Sequence, residues 1–204
     1  STWSAMSSST TMRAACSTMA GFTPYSCSDR MRSLGAGWVD ADAVYRGLCA
    51  ESREMLDALD TAFGGVTDEN GALDRPKLAK IVFADPEKLA QLNRITTPYI
   101  RAASLAAIEA QSACPIVLYD APTLFEAGAD DFCEAVVAVL APHDTRVQRI
   151  IARDHLTEDA ARARIDAQPS DGFYREKCGY IIENNGDLDT LYRDTDALYQ
   201  ILMK

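Results

Sequence analysis

Residues 115–122 read Pro115-Ile116-Val117-Leu118-Tyr119-Asp120-Ala121-Pro122. The apolar run from Ile116 to Tyr119, bounded by Pro115 and Asp120, predicts a strand buried on both faces, because a strand with one wet face alternates instead. Val136-Val137-Ala138-Val139-Leu140 is a second such run, and Tyr180-Ile181-Ile182, closed by the turn Asn184-Asn185-Gly186, is a third. Trp38-Val39 reads as a shorter strand ending at Asp40-Ala41-Asp42. Between these runs the apolar spacing is helical. Arg46–Phe63 carries Leu48, Met55, Leu56, Leu59 and Phe63 at helical intervals before Gly64-Gly65 stops it. Asp74-Arg75-Pro76 opens another helix, and Pro86 opens a long one reaching Gln111, with Pro98 expected to kink it. Asp144–Arg153, Thr157–Ala167 (Thr157 as N-cap) and Asp187–Leu202 complete the set. Strands separated by helices predict an α/β protein with a parallel sheet.

Composition narrows the function classes. The 204 residues carry 30 acids against 20 bases, a net charge of −10. That balance argues against nucleic-acid partners, whose binding needs a basic face. No run of 18 apolar residues is present and no apolar leader stands at the N-terminus, so no membrane partner and a cytoplasmic location are expected. The six cysteines are scattered without a C-x-x-C pair, as reduced core thiols would be. With only His143 and His155, no His/Cys metal cluster is expected. The first 33 residues contain no Val, Ile or Leu, whereas the remaining 171 contain 37. That segment does not read as ordinary core.

In an open parallel sheet, ligands gather at the carboxyl ends of the strands. Two strands end there in acids, at Asp40-Ala41-Asp42 and at Asp120. Such carboxylates can accept a hydroxyl proton or help hold Mg²⁺; alternatively they only cap the helix or turn that follows. Arg149 and Arg153, four apart in Gln148-Arg149-Ile150-Ile151-Ala152-Arg153-Asp154, share a helix face, and Arg162 and Arg164 follow. Two like charges on one face suit an anion such as a nucleotide phosphate, or else a solvated surface in salt bridges to Asp144, Asp154 and Asp159.

Several segments, in order, resemble one family. Trp38-Val39-Asp40-Ala41-Asp42-Ala43-Val44 looks like the "DAD" strand of dephospho-CoA kinases. Asn70-Gly71-Ala72-Leu73-Asp74-Arg75, Ile81-Val82-Phe83-Ala84-Asp85-Pro86 and Leu92-Asn93 are similar to their coenzyme-A domain. Tyr119-Asp120-Ala121-Pro122-Thr123-Leu124-Phe125-Glu126-Ala127-Gly128 resembles their "DVPLLFEAG" segment. Gln148–Asp154 with Arg164–Gln168 resembles their lid, and Tyr180–Gly186 their closing strand and turn.

The resemblance, over about residues 34–204, implies a three-layer parallel sheet of P-loop kinase type. It further implies a core in three parts (21–48, 114–145 and 178–204), an inserted helical CoA-binding subdomain 49–113 and a helical lid 146–177, while the composition of residues 1–20 predicts an irregular or disordered segment. The implied reaction moves the γ-phosphoryl of ATP, with Mg²⁺, onto the ribose 3′-hydroxyl of dephospho-CoA, the last step of coenzyme A biosynthesis. Asp42 is implied as general base, with Arg149 and Arg153 stabilising the transferring phosphoryl. Asp40, Arg75, Thr97, Asp120, Pro122 and Phe125 are implied as substrate contacts, Asp40 also as metal ligand. Thr23, Arg149, Arg164 and Asn185 are implied ATP contacts. Small-molecule substrates and a monomer or weak oligomer complete the expectation.

The sequence departs from the family at its phosphate-binding loop. A P-loop reads G-x-x-x-x-G-K-[ST], so that backbone N–H groups and the Lys cradle the phosphates. No such match is present, and no Lys precedes Lys77. The family's first strand has only Met19-Ala20-Gly21-Phe22 to correspond to it, and Thr97 stands where the family usually has His before Pro. A non-catalytic descendant that binds CoA-like ligands, or another small-molecule kinase on the same scaffold, are the alternatives.

Overall fold

The computed structural model describes the backbone of residues 14–18 and the whole of residues 27–204. Five strands form one sheet in the order β2-β3-β1-β4-β5: β1 Ala14–Thr18, β2 Gly37–Asp40, β3 Val117–Asp120, β4 Val136–Leu140 and β5 Tyr180–Glu183. β1 lies parallel to β3 on one side and to β4 on the other, and β4 lies parallel to β5. Thr23 and the segment Met19–Phe22 lie outside the described residues. The central strand is therefore Ala14–Thr18, within the stretch expected to be irregular. Its sequence, Ala-Ala-Cys-Ser-Thr, has no aliphatic signature, but ladders on both edges hold it through the backbone.

The chain divides into two compact units, one made of the described residues up to Val39 with Ile108–Lys204, the other of Asp40–Ala107. In the first, alternate residues of the strands face opposite layers. Leu118, Val137, Val139 and Ile182 pack on Met31 of α1 (Cys27–Ser33) and on Leu191, Leu198, Tyr199 and Leu202 of α9 (Leu188–Leu202). Arg30 and Asp196 join the same two helices by two bonds of 2.6 Å. Ala138 and Leu140 of β4 face the other way, onto Tyr174 of α8 (Asp171–Lys177). Helices on both faces of a parallel sheet make the three-layer α/β architecture expected from the sequence. Two further helices, α6 (His143–Asp154) and α7 (Glu158–Asp166), enclose a small core of Val147, Ile150, Ala161 and Ile165.

The smaller unit is helical. α2 (Ala41–Glu51), α3 (Arg53–Phe63) and α4 (Arg75–Phe83) surround Cys49, Met55, Leu59, Phe63, Val66, Leu78 and Val82. The single helix expected over Arg46–Phe63 is two. Ser52 leaves the helix, donates its N–H to Leu48 and accepts from Met55 N at 3.4 Å, so one residue ends α2 and caps α3. Asp74 caps α4 at Lys77 N, 3.0 Å away, with Pro76 in the first turn as expected. α5 (Pro86–Glu109) contains Pro98, whose ring nitrogen has no hydrogen to donate to the preceding turn.

Leu118 is fully buried in the sheet core. Leu118→Ala should lower the unfolding free energy by about 3 kcal/mol, read from the shift in urea midpoint at unchanged m-value.

Candidate active site

In the smaller unit the acids after β2 take different roles. Asp40 is the N-cap of α2: Oδ1 accepts from Ala43 N at 3.1 Å and Oδ2 from Arg46 Nη2 at 3.3 Å. Both of its oxygens are engaged, so the capping alternative is realised for Asp40. Asp42 stands exposed in the first turn of α2. Arg75 is exposed at the start of α4, and its charge acts on Tyr45 of α2. Burial, reinforced by the neighbouring Cys49 thiol, pushes the Tyr45 phenol up to about 12 against the pull of Arg75. Tyr45 is therefore a neutral donor at ordinary pH. Thr97 is half-buried in α5; beside it the buried Thr96 bonds back to Leu92 O at 3.0 Å.

In the larger unit, Asp120 ends β3 half-buried and accepts from Ser28 Oγ of α1 at 3.2 Å. Pro122 is exposed just beyond it. Phe125 packs edge-on against Phe173, ring centroids 5.3 Å apart, and also touches Tyr174. Arg149 and Arg153 are on the same helix but do not share a partner. Arg149 donates to Asn184 Oδ1 at 3.0 Å, and burial lowers the pKa of its guanidinium. It lines an open hollow of about 480 Å³ along α6 with Asp144, Thr145, Gln148 and Ala152. Asn184 is fixed in turn by its N–H on Leu140 O. Asn185 follows it, exposed.

Arg153 and Arg164 converge on one carboxylate. Arg153 spans Asp154 with bonds of 2.6 and 2.7 Å, and Arg164 adds a third of 2.7 Å. Arg162 bonds Glu158 and Asp144. The surface-ion-pair alternative thus describes Arg153, Arg162 and Arg164, with Glu158 where Asp159 was expected. Of these four arginines, Arg149 alone has a neutral partner.

Sequence reading missed Arg146, which is buried one turn before Arg149 and bonds Asp171 at 2.9 Å. It stood in the same basic run, and spacing alone does not tell which arginine turns inward. Among the described residues, no three His, Cys, Asp or Glu side chains come together to hold a metal ion, and no helix is long and apolar enough to cross a membrane.

The profile of the dephospho-CoA kinase family matches residues 23–190, which include every side chain of this candidate site. The chain belongs to the dephospho-CoA kinase family. A dephospho-CoA kinase of Syntrophotalea carbinolica is 42% identical over 166 residues, covering 79% of this chain and 78% of the relative. One from Oryza sativa subsp. japonica is 34% identical over 79% of this chain and 72% of its own length. Among solved structures, the dephospho-CoA kinase from Campylobacter jejuni superposes with a TM-score of 0.66 at 25% identity, covering 93% of this chain and 96% of that one. A Thermus thermophilus protein reaches 0.79 at 29% identity, over 95% of this chain and 99% of its own. Dephospho-CoA kinases are ATP-dependent phosphotransferases, and this chain has their P-loop kinase fold without a G-x-x-x-x-G-K-[ST] sequence.

The paired guanidinium groups of Arg153 and Arg164 hold the Asp154 carboxyl below the usual carboxylate range. A depressed folded-state pKa stabilises above the unfolded value and loses that contribution as pH falls through the folded value. The Tm difference between the parent and Asp154→Asn should therefore be constant above about pH 5 and shrink below about pH 4. Calorimetric scans across that range check it.

Proposed function

We propose that the chain phosphorylates the ribose 3′-hydroxyl of dephospho-CoA from ATP, with Asp42 as the general base. The observation that carries this reading is Asp42 itself, an exposed carboxylate in the first helical turn beyond a sheet strand, in a chain of this family. A base must reach the hydroxyl proton it removes, and Asp42 is open to a substrate while Asp40 is occupied as a cap. Arg75 and Thr97 are substrate contacts within the same helical unit. Asp120, Pro122 and Phe125 are substrate contacts of the larger unit, where Phe125 also packs on α8.

Arg149 is the phosphate-binding cation of this reading. Its hydrogen bond goes to neutral Asn184, so its charge remains available to a phosphoryl group in the transition state. Arg153 and Arg164 join it only by exchanging Asp154 for phosphate. Asn185 and Thr23 are nucleotide contacts. Asp40 would be the carboxylate that holds Mg²⁺ once Arg46 gives way from its Oδ2, and the ion would supply neutralisation of phosphate charge there. A monomer or weak oligomer in the cytoplasm completes the reading. The missing G-x-x-x-x-G-K-[ST] favours a second reading, a ligand-binding protein without turnover.

Loss of the cradle removes positioning and charge together. Coupled ADP release with dephospho-CoA should therefore run at least about 100-fold below that of a relative carrying the loop. Ordinary kinase turnover would overturn that expectation. Calorimetric binding of dephospho-CoA without any product under single-turnover conditions would support the second reading instead. In single-turnover assays Asp42→Asn should slow phosphoryl transfer by roughly 100-fold or more, with the half-saturating ATP concentration changed less than about threefold. A near-parental rate would remove Asp42 as the base.

A further inference from the structure

β2 is an edge strand, with β3 on one side only. An open edge leaves backbone N–H and C=O groups without a ladder partner. At Trp38 both groups are nevertheless paired, and by one side chain. Trp38 N donates to Gln111 Oε1 at 2.8 Å, and Gln111 Nε2 donates to Trp38 O at 2.9 Å. A primary amide presents an acceptor and a donor side by side, as the next strand would.

Two further observations show that the contact is built rather than incidental. Gln111 lies just past the end of α5, in a turn where its own N–H bonds Ile108 O and its carbonyl accepts from Cys114 N. The side chain therefore projects from a fixed backbone. The neighbouring residue on β2 is Gly37, where a Cβ would stand 2.6 Å from Gln111 Oε1 and 3.3 Å from Cys114 Sγ. Gly37 and Gln111 are fitted to one another. Both partners of the clamp belong to the larger unit, Trp38 next to the residue where the chain leaves it and Gln111 three residues after it returns.

We propose that Gln111 is a positioning residue for the kinase reaction: its amide serves as a substitute strand on the edge of β2 and fixes the short path from Trp38 to Asp40, two residues on, and Asp42, four residues on. This rests on the reading of Asp40 and Asp42 given above. Gln111 touches no reacting atom; it acts by holding the backbone from which both carboxylates are displayed. Freeing that edge lets the start of α2 drift, and displacements of an ångström cost large factors in positioned chemistry and binding.

The test compares Gln111→Leu and Gln111→Glu with the parent. Leucine can make neither bond. An ionised glutamate accepts from Trp38 N but cannot donate to Trp38 O, whereas a protonated one does both. Amide hydrogen exchange at Trp38 should be faster in the leucine variant at every pH and near-parental in the glutamate variant. Calorimetric affinity for dephospho-CoA should fall by on the order of 10-fold in the leucine variant between pH 5 and 8. In the glutamate variant it should fall at pH 8 and return toward the parent only as the carboxyl gains its proton, below about pH 4.3. Because leucine could loosen the fold generally, the pH-dependent return in the glutamate variant is the discriminating result. Parental exchange and affinity in the leucine variant would overturn the proposal, as would a glutamate variant whose deficit does not change with pH. A parent that neither binds nor phosphorylates dephospho-CoA overturns the kinase reading and the positioning role with it; a parent that binds, beside an unaffected leucine variant, overturns the positioning role alone.

Discussion

The structure depends on keeping water off both faces of a parallel sheet. β3 and β4 are apolar along nearly their whole length, and the protein covers them with α1 and α9 on one side and α8 on the other. Every strand that joins this sheet is held there by ladder bonds that solvent cannot replace at low cost. This explains why β1 forms from a sequence with no Val, Ile or Leu. The slot between β3 and β4 offers two rows of donors and acceptors, and the chain that enters it satisfies them whatever side chains it carries. It also explains the clamp at β2, where the ladder ends and a side chain takes over.

What could be read in the sequence follows the same division. Continuous apolar runs announced β3, β4 and β5, and turn chemistry announced the caps at Asp74 and Thr157, because those signals are local. β1 was not legible, since its stability comes from two neighbours more than 100 positions away in the chain. The division of Arg46–Phe63 at Ser52 was hidden because the apolar positions on either side keep helical spacing through the break. α1 buries Cys27, Ser28 and Met31, too few apolar residues to give a pattern, and α8 is two turns long.

The site was legible as a set of residue types and less so as a set of partnerships. Spacing put Arg149 and Arg153 on one helix but could not say that Asn184 would take the first and Asp154 the second. That choice matters chemically. A guanidinium held by an amide keeps its charge for a ligand, whereas one held by a carboxylate must be exchanged. In α6 and α7, Arg149 is thus held by an amide, whereas Arg153, Arg162 and Arg164 are balanced by carboxylates. Gln111 gave no signal at all, since a side chain bonding to backbone leaves no trace in periodicity or charge.

The strand order has a consequence for how the chain comes into being. Ala14–Thr18 leaves the ribosome early, yet its two neighbours are complete only at Asp120 and Leu140. For the interval between, the piece destined for the middle of the sheet has nothing to pair with, while the Asp40–Ala107 unit already has its whole apolar cluster translated. Nascent-chain folding should therefore begin in that unit, and β1 pairs only once β3 and β4 are made, which leaves its backbone open to holdase chaperones in the interval.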